Sequence, residues 1–158
     1  MNDFANIRRP SGIESIQSDL KKIGFTMSSD VLTDSILRTL AASKPGGSFL
    51  ELGTGGGLST AWLLAGMDSD STLITIENDE TLYEIAKKHL GTDPRVDVRY
   101  MNGGEFIQTH MQRKFDLIFA DTWPGKFYFI NEVLNMVRIG GMYVVDDLSP
   151  FLLGRKNM

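Results

Sequence analysis

The chain alternates between short apolar runs and longer stretches in which apolar residues recur every three or four positions. Five runs have the length and continuity of buried strands: 48–52, 72–77, 96–100, 115–120 and 141–146. The stretches between them have helical spacing and predict helices over 58–66, 79–90, 104–112 and 126–138. Because a helix joins each strand to the next, the pattern predicts an α/β fold with a parallel sheet covered on both faces.

Two further helical patterns precede the first strand. Their apolar positions are Ile13, Ile16, Leu20 and Ile23 in the first, and Leu32, Ile36, Leu37, Leu40 and Ala41 in the second. With 158 residues, 42% of them hydrophobic, the chain is long enough for one compact core and too short for two. We therefore expect a single domain over 1–158, with N-terminal helices in 1–45, an α/β core in 46–149 and a short tail in 150–158.

Two helices of the predicted core carry an apolar stripe that we expect to face the sheet. The stripe residues are Leu82, Ile85, Ala86 and Leu90 in one helix, and Phe127, Ile130, Leu134 and Val137 in the other. Gly91 and Gly140 follow these stripes, and glycine commonly ends a helix. Both glycines are therefore predicted helix ends.

Composition excludes several classes of function. The net charge of -4 and the pI near 5.1 argue against a protein that binds nucleic acid through a basic surface. The absence of cysteine excludes disulfides, thiolate nucleophiles and sulfur-ligated zinc. No apolar run approaches the roughly 18 residues of a membrane span, and no leader segment is apparent. We expect a cytoplasmic protein that does not associate with membranes.

A glycine-rich turn follows the first predicted strand. Glycines at 53, 55 and 57 let the chain turn sharply and bring backbone amides against a ligand. Glu77 ends the next strand about twenty residues later, where an acidic side chain reaches a ribose in nucleotide-binding folds. A dinucleotide-binding turn needs glycine or alanine three positions after its second glycine, and Leu58 stands there instead. The motif therefore disfavours an NAD-dependent oxidoreductase.

These motifs, with the strand ending at Asp121 and the glycines at 140 and 141, resemble those of class I S-adenosylmethionine-dependent methyltransferases. The resemblance covers about residues 26–149. It implies a doubly wound, Rossmann-like sheet of strand order 3-2-1-4-5 and S-adenosylmethionine as cofactor. The cofactor-binding residues that it implies are Glu51, Gly53, Thr54, Gly55, Gly57, Ser59, Glu77, Asn78, Asn102, Gly103 and Asp121. Glu51, Gly53 and Ser59 would line the methionine end, and Glu77 would accept the ribose hydroxyls.

Acidic residues end the fourth and fifth strands, which are neighbours in that strand order. Asp121, Asp146 and Asp147 would repel one another unless a cation neutralised them, and a divalent ion such as Mg²⁺ prefers oxygen ligands. This arrangement resembles that of the catechol and caffeoyl-CoA O-methyltransferases, in which acidic residues hold a metal that binds the acceptor. Asp147 is also suited to a local turn, which is the alternative role for this residue. Pro124 stands where those enzymes have a lysine, and Lys126 is the alternative base.

The sequence thus predicts an O-methyltransferase for a small hydroxylated acceptor, with Asp121 and Lys126 as catalytic residues. The alternative is a domain that binds S-adenosylmethionine or S-adenosylhomocysteine without turnover, such as an inactive fragment. Related enzymes continue past the fifth strand with a helix and two antiparallel strands, for which this sequence leaves too few residues. We therefore expect an uncovered edge at Tyr143, Val144 and Val145, and either a homodimer or a tendency to aggregate through it.

Overall fold

A computed structural model describes residues 7–148, which form one sheet of five parallel strands with helices on both faces. The strands are β1 (Ser48–Leu52), β2 (Thr72–Glu77), β3 (Val96–Tyr100), β4 (Phe115–Ala120) and β5 (Val137–Val145). The helices are α1 (Ile13–Lys22), α2 (Val31–Ala42), α3 (Leu58–Gly66), α4 (Glu80–Leu90), α5 (Gly103–Thr109) and α6 (Ile130–Met136). The strand order is β3-β2-β1-β4-β5, which confirms the predicted doubly wound fold. The predicted tail, residues 150–158, lies outside the described residues.

Successive side chains of the central strands point to opposite faces, so β1 and β4 contribute to two separate cores. Leu50 and Ile118 pack under α5 and α6, whereas Phe49 and Leu117 pack under α2 and α3. A third apolar cluster joins α1 to α3 and α4. None of the helices in residues 7–148 is long and apolar enough to cross a membrane.

The region around Gly140 differs from its prediction. The predicted helix over 126–138 is shorter, and β5 already begins at Val137. Phe115 pairs with Val137 and Leu117 pairs with Met142, so extra residues of β5 bulge out between these pairs. Gly140 has a φ of 77° inside this bulge. It therefore bends a strand and does not end a helix.

The prediction that the apolar stripe of α6 faces the sheet is also wrong. Val133 and Met136 face the core, whereas Phe127, Ile130 and Leu134 are exposed. The cause is the late start of α6 at Ile130, since Phe127 lies in the preceding turn and does not set the helix phase. An apolar surface on this side of the sheet therefore faces outward within residues 7–148.

Candidate functional site

The loop of residues 53–57, called the glycine loop below, joins β1 to α3. Gly53, Gly55 and Gly57 have φ values of 98°, 57° and 100°, which residues with a side chain rarely adopt. At Gly53 a Cβ atom would lie 2.9 Å from the carbonyl oxygen of Asp121. The loop therefore depends on glycine both for its conformation and for its close contact with the end of β4.

Glu77 connects the glycine loop to the end of β2. Its Oε2 accepts a hydrogen bond of 2.8 Å from the Gly55 amide. Its Oε1 accepts bonds of 2.9 Å from the amides of Asn78 and Asp79. The residue is only 7% exposed. Glu77 is therefore a buried residue that holds the glycine loop against the end of β2, and it is not a solvent-exposed side chain at a strand end.

Glu51 lies beneath the loop and is fully buried. Its carboxylate accepts hydrogen bonds of 2.5 Å from Ser59 and Thr60, both on α3, and of 2.6 Å from Thr75 on β2. Burial raises the pKa of Glu51 to about 7, although the three hydroxyl donors oppose this rise. Glu51 and Ser59, both predicted to bind the cofactor, are thus hydrogen-bonded to each other in the core.

Thr54 of the glycine loop joins the same network. Its hydroxyl lies 2.6 Å from that of Thr75, and either atom has the geometry to donate. A hydroxyl carries one proton, and the Thr75 proton is directed to Glu51, so Thr54 is the donor in this contact. Thr60 and Thr75 were not among the predicted site residues. Thr75 lies directly beside Glu51 in the neighbouring parallel strand. This pairing depends on the register of β1 and β2, which the sequence alone does not reveal.

The predicted cofactor-binding residues Asn78, Asn102 and Gly103 lie at the same edge of the sheet. The Met101 amide donates to the Glu77 carbonyl over 2.8 Å and so ties the end of β3 to β2. Asn102 is the N-cap of α5, and its Oδ1 accepts from the amides of Gly104 and Glu105. Gly103 is buried against Pro124, and Asn78 is exposed. The structure therefore gives Asn102 a capping role and leaves its side-chain amide group to donate elsewhere.

Asp121 and Lys126 are brought together at the end of β4. Lys126 Nζ lies 3.2 Å from Asp121 Oδ1, and the Lys126 side chain is largely buried. Burial raises the pKa of Asp121, while Lys126 lowers it and Asp146 and Asp147 raise it. The turn between them is fixed by the Tyr143 hydroxyl, which donates to the Gly125 carbonyl. The predicted catalytic pair therefore exists as a partly buried ion pair.

The predicted metal site is not assembled. Within residues 7–148 no group of three or more acidic or histidine side chains is close enough to hold a metal ion. Asp146 accepts from the Asp147 amide over 2.8 Å, and Asp147 is exposed with a φ of 52°. Asp147 thus has a left-handed backbone conformation at an exposed position, and Asp121 is paired with the Lys126 ammonium. The residues present do not fit a divalent ion held by Asp121, Asp146 and Asp147.

Comparison with known proteins adds sequence relatives to this geometry. A family model described as a methyltransferase domain matches residues 50–148. A protein of Mycolicibacterium smegmatis described as a candidate O-methyltransferase is 33% identical over 115 residues, which are 70% of this chain and 55% of that protein. A similar relative from Mycolicibacterium vanbaalenii is 32% identical, again over 70% of this chain and over 51% of its own length. The chain spans about half the length of these relatives.

Two crystal structures have closely similar folds. The O-methyltransferase from Bacillus cereus in complex with S-adenosylhomocysteine is 25% identical, with a TM-score of 0.80 over 91% of this chain and 69% of that one. The O-methyltransferase TomG from Streptomyces achromogenes, involved in tomaymycin synthesis and in complex with S-adenosylmethionine, is 22% identical. Its TM-score is also 0.80, over 91% of this chain and 68% of its own.

Proposed function

Because this chain belongs to the family of methyltransferase domains whose model matches residues 50–148, we propose that it binds S-adenosylmethionine above the glycine loop. We further propose that it transfers the methyl group to an oxygen atom of a small hydroxylated acceptor. The supporting observation is the Glu77 carboxylate, which accepts a hydrogen bond from the Gly55 amide. Both residues lie at the carboxyl ends of the central strands, where open α/β sheets bind their ligands.

The residues at this edge are suited to a nucleoside with a charged tail. Glu77 has two carboxylate oxygens and three amide donors, which leaves acceptor capacity for a ribose hydroxyl. Gly53, Gly55 and Gly57 keep side chains out of the loop. Asn78, Asn102 and Gly103 follow β2 and β3 at the same edge, where the adenine would lie. The acceptor capacity of Glu77 and the open glycine loop therefore support S-adenosylmethionine as the cofactor.

When bound, S-adenosylmethionine supplies a methyl carbon that is activated by a positively charged sulfur. The chain must then orient the acceptor oxygen and remove its proton. The Lys126 ammonium donates to Asp121 Oδ1, so the carboxylate is the member of this pair with a free acceptor oxygen. We assign proton acceptance to Asp121 and the positioning of that carboxylate to Lys126. No metal ion takes part in this assignment.

Binding calorimetry tests the cofactor. We expect S-adenosylmethionine and S-adenosylhomocysteine to bind and NAD to give no heat. Glu77→Gln keeps the size of the side chain but removes the charge, and should weaken binding about 10- to 100-fold. Glu84→Gln, an exposed position on α4, should leave the affinity unchanged. Equal affinities of the Glu77 variant and the unchanged protein would contradict the assigned site.

A methyl-transfer assay tests the reaction itself. The protein is incubated with labelled S-adenosylmethionine and phenolic acceptors, and labelled product is counted. Labelled product that forms with the unchanged protein and is lost when Asp121 is replaced supports O-methyl transfer. Tight cofactor binding with no product for any hydroxylated acceptor would support a binding domain without turnover instead.

A further inference from the structure

A cavity of about 320 Å³ lies between α1, α2 and α3, beside the segment of residues 23–30. This volume is at the lower end of the range for small-molecule sites. Its apolar wall is formed by Ile13, Leu20, Phe25, Val31, Leu58 and Trp62. None of the residues assigned above to the cofactor or to catalysis lines it. The cavity is therefore lined by residues without an assigned role, although Leu20 and Phe25 of its wall lie against the glycine loop.

Asp34 lines the same cavity and is the feature that requires an explanation. It is 3% exposed, although an acidic side chain is rarely buried unless it is paired. Its Oδ1 accepts a hydrogen bond of 2.6 Å from the Ser29 hydroxyl. Among residues 7–148 no lysine, arginine or histidine forms an ion pair with it. A carboxylate is thus held at the cavity with a single neutral donor.

The charges around Asp34 are also negative. The pKa of Asp34 is raised to about 6, chiefly by burial and also by the charges of Asp30, Asp146 and Asp121, whereas the hydrogen bond from Ser29 opposes this rise. Lysine and arginine occur near the cavity only at exposed positions, Lys21 and Arg9. Solvated cations at an opening compensate a buried carboxylate weakly. The inner part of the cavity therefore favours a cation.

We propose that this cavity binds a small organic amine, with an aromatic or branched aliphatic body against Trp62 and Leu58 and its ammonium group on Asp34. The apolar wall accommodates the body, and the ammonium supplies the charge that Asp34 lacks within the described residues. A neutral ligand of the same shape would leave that carboxylate unpaired. This site adjoins the glycine loop, because Leu20 and Phe25 of its wall lie against Gly56 and Gly55. It shares no lining residue with the loop, and the proposal does not rest on the proposed function.

Tryptophan fluorescence provides a direct test. Trp62 lines the cavity and is 2% exposed, whereas Trp123 is 67% exposed and is not part of it. Trp123→Phe therefore leaves Trp62 as the single reporter. We would titrate this variant with 2-phenylethylamine, with 2-phenylethanol as the neutral analogue and with 3-phenylpropionate as the anion. The amine should bind at least about tenfold more tightly than the alcohol, as expected for a charge-assisted hydrogen bond.

The variant Asp34→Asn should abolish the preference for the amine. It removes a buried charge, so the protein should remain folded, and melting of the variant verifies this. Glu14→Gln removes an exposed charge from α1 and should leave the preference intact. No fluorescence change with any of the three compounds, tighter binding of the anion, or an amine preference that survives Asp34→Asn would each overturn the proposal. Titration without cofactor separates these outcomes from a failure of cofactor binding.

Discussion

The Thr75 hydroxyl donates to Glu51 Oε2 over 2.6 Å and at the same time accepts from Thr54. A residue in the middle of β2 thus connects the glycine loop to the buried carboxylate of β1. Because all of these groups are buried, each lost bond leaves a polar atom without a partner.

We expect Thr75→Val to lower the free energy of unfolding by about 1–3 kcal/mol, since valine keeps the shape but leaves Thr54 and Glu51 each short of one partner. Thr75→Ser should retain most of the stability. Thr72→Val, at the exposed start of the same strand, is the control and should have little effect. Urea denaturation measures all three. An unchanged midpoint for Thr75→Val would contradict the network.

The raised pKa of Glu51 predicts a pH dependence of stability. Burial raises the pKa of Glu51 from 4.5 to about 7, so the native state binds more protons than the unfolded state between these values. Stability from this group is therefore greatest below about pH 4.5 and falls as the pH rises towards 7. Asp34, with a pKa raised from 3.8 to about 6, contributes in the same direction.

Glu51→Gln tests this directly, because glutamine does not titrate. Its free energy of unfolding should vary less between pH 5 and 7 than that of the unchanged protein. Hydrogen bonds lower the pKa values of Asp68 and Asp93, so their contribution is lost only at more acidic pH and does not mask the effect. Parallel pH profiles for the two proteins would show that Glu51 titrates normally.

The ion pair of Lys126 with Asp121 predicts a reaction that is independent of metal ions. Asp121→Asn should lower turnover about 10²- to 10⁴-fold, the usual contribution of a catalytic base. Lys126→Met removes only the group that positions this carboxylate, so it should lower turnover less, while cofactor affinity changes little. Lys87→Met, on the exposed side of α4, is the matched control. Turnover should persist in the presence of EDTA. A loss that added Mg²⁺ restores would favour a metal site and contradict this prediction.

Among residues 7–148, β5 pairs only with β4 and is an edge of the sheet. Ile139 is fully exposed on it, and the apolar side chains Ile130 and Leu134 of α6 are exposed as well. Such an edge is a template for pairing with a second chain, so we expect a concentration-dependent dimer. Ile139→Lys should weaken it, whereas Ile36→Lys on α2 should not. Light scattering that shows a monomer at high concentration would contradict the dimer.

Local sequence predicted most of the sheet because the strand signal is local. The predicted bounds of β1, β2, β3 and β4 agree with the structure, as does α3. The prediction was wrong at α6 and β5, where the apolar residues from 127 to 137 have helical spacing but the chain enters a strand at Val137. Register with β4, and a bulge at Gly140, override the local pattern there.

The sequence by itself determined the bounds of the first four strands, the glycine loop and the acidic residue at the end of β2, since each follows from residue types at short spacing. The strand order was expected only from the resemblance to class I methyltransferases. Only the tertiary structure decided which polar groups meet. Thr75 reaches Glu51 across two paired strands, Lys126 folds back onto Asp121 through a turn, and Asp34 lies buried beside a cavity between three helices. These contacts depend on packing between segments that are distant in the chain, and the periodicity of a single segment carries no information about them.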